Sequence, residues 1–116
     1  MSTAVTGRAL KREAEKALRF LRINGTFTGL KYLVYAVSET ALDPDRTYLI
    51  TKDLYREIAH KYKTTPSRVE RNMRWAIHIS WNDSRNEFDQ MAGYHLVKRP
   101  TNKEFIDLVA FYIRSK

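Results

Sequence analysis

The sequence predicts an all-α domain of about six helices, and three observations carry that prediction. Apolar residues recur at three- and four-residue spacing along most of the chain. The breaks between these periodic segments are short and marked by Gly or Pro. Only "YLITK" at 48–52 resembles a strand, and it is short, so a winged helix is not expected. The length of 116 residues and the apolar content of 43% suit a single domain, 1–116, with one modest core.

Each element has its own signal. Leu10, Ala14, Ala17, Leu18 and Leu21 share one face of a first helix within 1–24, which stops before "INGTFTG". Leu30, Leu33, Val34, Val37 and Ala41 build a second helix, closed by the "DPD" turn at 43–45. Leu54, Ile58, Ala59 and Tyr62 mark a third, with Thr51 as its expected cap. The fourth runs from Pro66 to Trp81. A short helix is expected from Ser84 to Met91, ending at Gly93. The last, 101–114, starts at a capping box of Thr101 and Glu104 and continues with Phe105, Leu108, Val109 and Tyr112 on one face. The aromatics Phe27, Tyr32, Tyr35, Phe105, Phe111 and Tyr112 recur at helical spacing and are assigned to the core.

Composition narrows the function. No apolar run approaches the roughly 20 residues that span a bilayer, so no membrane helix is expected. The charged N-terminus lacks the apolar stretch of a secretion signal, and a cytoplasmic protein is expected. Cysteine is absent, which removes disulfides, thiolate metal sites and cysteine nucleophiles. His60, His78 and His95 are scattered, and no phosphate loop or nucleophile motif occurs, so neither an enzyme, a metal site nor a cofactor is expected.

The formal charge is +8, from 21 Lys and Arg against 13 Asp and Glu, which favours polyanionic partners. Half of that excess lies between Lys52 and Arg74, where seven basic residues face three acidic ones. An equal excess lies between Arg8 and Arg22. On a wheel of about 100° per residue, Val69, Met73, Ala76, Ile77 and Ser80 fall on the core side of the fourth helix. Arg68, Arg71, Arg74, Trp75 and His78 fall opposite, with Glu70 at the margin. A solvated face usually mixes signs at i,i+4 spacing. This one carries three arginines and no acid among them.

"LYREIAHKYKTTPSRVERNM" is two amphipathic helices joined by a turn of three or four residues, with small Ala59 where the helices approach. That is helix-turn-helix spacing over 51–81, in which the second helix enters the DNA major groove by its N-terminal end. Either Thr65 ahead of Pro66 or Ser67 ahead of Glu70 serves as its cap. Lys63 occupies the turn position where glycine is common, which calls for a left-handed backbone. Arginine forks onto guanine O6 and N7, and glutamate accepts from cytosine N4. Arg68, Glu70 and Arg71 are therefore the base-reading candidates, and Arg74, a turn further on, serves bases or phosphates. The bland alternative for Glu70 is completion of a cap. Lys52, Lys61, Lys63, Thr65, Ser67, Lys98 and Arg99 are candidates for the DNA backbone, with plain solvation the competing role for each lysine.

Two stretches, "ITKDLYREIAHKYKTTPSRVERNMRWAI" and "RPTNKEFIDLVAFYIRSK", closely resemble the DNA-binding effector domain of the stage-zero sporulation response regulator of endospore-forming Firmicutes. The resemblance extends back to about Ala17 and forward to Arg114. It implies a six-helix, all-α domain that binds TGTCGAA-like promoter boxes, with the positions of Arg68, Glu70, Arg71 and Arg74 on the recognition helix. It further implies tandem self-association on adjacent boxes and a surface for RNA polymerase and its sigma factor after that helix. Three features depart from the family pattern. Only a short helix stands where a receiver domain would precede, and with Met1 this gives the expectation of a free-standing protein. "NDSRNEFDQMA" at 82–92 diverges and is a residue shorter. Trp75 replaces the usual histidine, and packs on sugar-phosphate, shifts box preference, or stands idle.

The reading these residues support is a sequence-specific regulator of double-stranded DNA located at the nucleoid. The rival reading is a protein-interaction module that antagonises the sigma factor or the full-length regulator. RNA binding lacks the aromatic sheet its specificity needs.

Overall fold

A computed structural model describes the chain from Thr3 to Lys116, with side chains described from Gly7 onward. Six α-helices appear in order: α1 (Thr3–Phe20), α2 (Gly29–Leu42), α3 (Tyr55–Lys61), α4 (Pro66–Asp83), α5 (Arg85–Ala92) and α6 (Asn102–Arg114). Among the described residues there is no strand, so no wing flanks the helix-turn-helix. Residues 1 and 2 of the expected first helix lie outside the described residues.

Helix α2 is the hub. It buries Tyr32, Leu33, Val34, Ala36, Val37, Thr40 and Ala41, a face too wide for one neighbour, and packs against α1, α4 and α6. At its start Gly29 meets the backbone of α4. A methyl group built there would lie 2.4 Å from the Asn72 carbonyl oxygen, so only hydrogen permits this approach. A row of aromatics joins the last three helices. Trp81 meets Phe88 edge-to-face at 5.3 Å, and Phe88 meets Phe105 at 5.8 Å.

The boundaries have local reasons, and several differ from expectation. Helix α1 ends at Phe20, ahead of its glycines, because Arg22 takes a left-handed backbone (φ 65°) and closes a Schellman motif. The Ile23 amide donates to the Leu18 carbonyl at 2.9 Å and the Arg22 amide to Arg19 at 2.8 Å. Thr51 caps nothing: residues Ile50–Leu54 form a wide π-type turn that feeds directly into α3. "YLITK" is likewise turn, not strand. Helix α4 runs two residues past Trp81, to Asp83. Its far end is tied down by the hydroxyls of Ser80 and Ser84, both donating to the Leu21 carbonyl. Gly93, in left-handed backbone (φ 83°), ends α5 as expected. Of the aromatics assigned to the core, Tyr32 and Phe105 are buried and Phe27, Tyr35 and Tyr112 half-buried, but Phe111 is exposed. It follows buried Ala110 on the wheel and falls on the outer side of α6.

Below α3 lies a polar cluster that no spacing announced. Arg46, on the 3₁₀ turn Pro44–Thr47, pairs with Glu39 at 2.8 Å, Glu57 at 3.0 Å and Asp53 at 3.8 Å. The Tyr35 hydroxyl donates to Glu57. That hydrogen bond first, and the Arg46 guanidinium with it, holds the Glu57 carboxyl below its ordinary value against the opposing effect of burial. Burial, then the Glu57 carboxylate, pushes the Tyr35 phenol far up. A carboxyl with a depressed folded-state pKa stabilises the fold above its unfolded value, and that contribution disappears as pH falls through the folded value. Asp89, held down chiefly by the Leu96 amide, and Glu104, held down chiefly by the Thr101 amide, act in the same direction. Urea midpoints should therefore fall between about pH 5 and pH 3. Glu57→Gln should lower the neutral-pH midpoint and make that fall shallower; an unchanged slope would show that Glu57 does not titrate with folding.

Candidate nucleic-acid interface

The hairpin of α3 and α4 is fixed by local chemistry. Helix α3 ends in a second Schellman motif, with the Thr64 amide donating to Ala59 at 2.9 Å and the Lys63 amide to His60 at 3.4 Å. Lys63 sits at its left-handed position (φ 53°), as the turn spacing predicts. Thr65 is the cap of α4, its hydroxyl accepting from the Arg68 amide at 3.2 Å, with Pro66 next. Ser67 is thereby excluded as the cap and lies exposed on the first turn. Val69 is fully buried beneath the turn, and half-buried Tyr62 meets Tyr32 edge-on at 5.5 Å.

With Val69, Met73, Ala76 and Ile77 committed to the core, the opposite face of α4 is free. Arg68, Arg71 and Arg74 are all exposed on it, within the first nine residues of the helix. They begin at the end where the unsatisfied amides of the helix concentrate positive potential. One expectation changes: the face is not free of acid, because Glu70 pairs with Arg74 at 3.4 Å, one turn apart. Glu70 completes no cap, since Thr65 caps through Arg68. Exposed Trp75 leans on His78 at 5.7 Å, and Arg99 meets the His78 ring nitrogen from the loop before α6. His78 is therefore half-buried within the face.

The structure brings some candidates together and leaves others apart. A cleft of about 380 Å³ gathers Glu70, Arg74 and Arg99 against Tyr55 and Asn102. Lys63, Thr65 and Ser67 surround the start of α4. Lys52 is exposed on the wide turn leading into α3, and Lys98 lines a different groove with exposed Tyr94, Val97 and Phe111. Among the described residues no group of three or more histidine, aspartate or glutamate side chains is arranged to hold a metal ion.

A family model described as "Sporulation initiation factor Spo0A C terminal" matches residues 14–113. The chain belongs to this family. The resemblance read from "TTPSRVER" and "PTNKEF" is thus the right one, and the all-α, six-helix architecture agrees with it. The Spo0A C-terminal family is a DNA-binding domain of a sporulation transcription factor, so the coarse function is regulatory DNA binding and the family is not one of enzymes. No described helix is long and apolar enough to cross a membrane.

Two residues at this interface escaped sequence reasoning. Tyr55 is buried at the start of α3, and Asn102 donates its side-chain amide to the Tyr55 hydroxyl at 2.9 Å and the Glu70 carbonyl at 3.1 Å. The capping box fixed the position of Asn102 in the chain. Its direction depends on how α6 crosses the hairpin, which no local pattern encodes.

Proposed function

We propose that the chain binds TGTCGAA-like promoter boxes in double-stranded DNA, with α4 in the major groove and its N-terminal end toward the bases. The observation that carries this is the placement of Arg68, Arg71 and Arg74 on one free face beside a capped helix start. In this reading Arg68 and Arg71 fork onto guanines, and Glu70, oriented by its pair with Arg74, accepts from a cytosine. Lys63, Thr65, Ser67 and Trp75 contact the flanking sugar-phosphate, joined by Arg99 and, further out, Lys52 and Lys98. Action at the nucleoid in the cytoplasm, tandem pairing of copies on adjacent boxes, and contact with the sigma factor belong to the same reading. The domain assignment of residues 1–116 to one effector unit does as well.

The test is fluorescence anisotropy with a TGTCGAA-containing duplex and a scrambled one across a salt series. A preference of tenfold or more, about 1.4 kcal/mol, that survives rising salt establishes base reading. Equal binding that collapses with salt refutes it. Arg68→Ala should weaken the matched duplex by about 1–3 kcal/mol and flatten discrimination at one base pair. Equal loss on both duplexes would reassign Arg68 to the backbone.

A second reading is favoured by one observation. Tyr94, Val97 and Phe111 are exposed together along the groove between α5 and α6, an apolar surface of the kind proteins bury against partners. An antagonist of the sigma factor or of the full-length regulator would use it. Such a chain would be captured by those proteins and would show no preference between the two duplexes.

A further inference from the structure

We propose that Asn102 is a positioning residue for base recognition: it clamps the two helices of the hairpin to α6 and so sets where Glu70 and Arg74 stand. The proposal rests on the base-reading role given above to α4. Asn102 is the first residue of α6 and lies 47 residues from Tyr55 and 32 from Glu70 in sequence. Its backbone is held rigidly by the capping box on either side. The Thr101 hydroxyl accepts from the Glu104 amide at 3.2 Å, and the Glu104 carboxylate accepts from the Thr101 amide at 2.9 Å. From that fixed base the side-chain nitrogen places one proton on each helix of the hairpin. The Glu70 carbonyl can only accept, so the nitrogen and not the oxygen of the amide must face it. Tyr55 then accepts, its ring buried at the head of α3.

The fold does not depend on this clamp for its strength. Helix α6 has its own cap and buries Phe105, Ile106, Val109, Ala110 and Ile113. The Glu70 carbonyl also accepts the intrahelical bond from four residues on. What the clamp adds is angle. It acts on α4 at the residue that bears Glu70, one turn before Arg74, on the wall of the cleft that these two share with Arg99. A helix free to swing there would keep its charges and lose the register that bidentate contacts demand.

The experiment compares the unaltered chain with Asn102→Asp and Asn102→Ala. Aspartate keeps the shape and suits the first turn of a helix, so folding is retained while the donor is lost. Two readouts are taken: the matched-to-scrambled affinity ratio, and amide hydrogen exchange along α4 and α6. Both variants should lower the ratio tenfold or more. Asn102→Ala should leave scrambled-duplex affinity and its salt slope within twofold of the unaltered chain, whereas the added carboxylate of Asn102→Asp, in the cleft with Arg74 and Arg99, should also weaken binding to both duplexes. Exchange at Arg71–Arg74 should quicken at least tenfold while that of Val109–Ile113 stays unchanged. A ratio within twofold of the original overturns the proposal, as does exchange that rises equally in both helices. If the unaltered chain does not distinguish the duplexes, the base-reading function fails on that result alone. The clamp is then judged by exchange, and unchanged exchange in α4 overturns it.

Discussion

Phe88→Ala should lower stability by about 3–5 kcal/mol, the usual loss when a buried phenylalanine is truncated in a core that only partly collapses. The ring is fully buried and stands between Trp81 of α4 and Phe105 of α6. Helix α5 has eight residues and buries only Phe88 and Met91. A helix of that length does not persist on its own in water. Removing the ring therefore releases the segment as well as opening a cavity. Against a typical domain stability of about 5–15 kcal/mol this is a large fraction. Urea unfolding measures it, and Trp81, which lies on the ring, reports the local change by fluorescence. A loss below about 1.5 kcal/mol would mean that Trp81 and Phe105 close over the space.

Gly29→Ala should be the next most damaging change, by about 2–3 kcal/mol, near the top of the range for overpacking. In an open helix the same exchange stabilises by roughly 0.5–1 kcal/mol, so the sign depends on the neighbour. Here the added carbon would lie 2.4 Å from the Asn72 carbonyl oxygen, 2.9 Å from its carbon and 3.2 Å from the Met73 nitrogen. These are backbone atoms of α4 and cannot rotate aside. Either α2 and α4 separate or the start of α2 unwinds. Gly25→Ala is the control, because nothing lies within 4 Å of its added carbon. Urea midpoints should drop for the first variant and barely move for the second. Equal midpoints would show that the helices part without penalty.

Much of this molecule was legible in its residues, and what was hidden shares a physical character. Periodicity located the longer helices, and Thr101 with Glu104 announced the start of α6 because a capping box is complete within four residues. The left-handed turn at Lys63 followed from spacing alone. The arginine face of α4 was readable because its opposite face must be core. What local pattern did not give was anything closed between distant segments. Arg46 draws Glu39, Asp53 and Glu57 together from three elements. Asn102 reaches Tyr55 and Glu70 across two helices. Helix α1 stops before "INGTFTG" as read, but Arg22, not a glycine, takes the left-handed position that closes it. Thr51 looked like a cap until the chain reached α3 through a wide turn that needs none.

The anchoring of α4 has a consequence for how this protein can change over evolutionary time. Its far end is held by Ser80 and Ser84 on the Leu21 carbonyl, its middle by the approach of Gly29, and its start by Thr65 and Asn102. None of these ties uses the side chain of Arg68, Glu70, Arg71 or Arg74; even Asn102 grips Glu70 by its carbonyl. In the proposed base-reading role, the side chains that meet DNA and the ties that hold α4 are thus different groups, and Asn102 alone, through the backbone it holds, would bear on both. On that proposal, mutations at those four positions would drift to a new target without first weakening the scaffold, and duplicated copies would diverge in what they recognise while sharing one body.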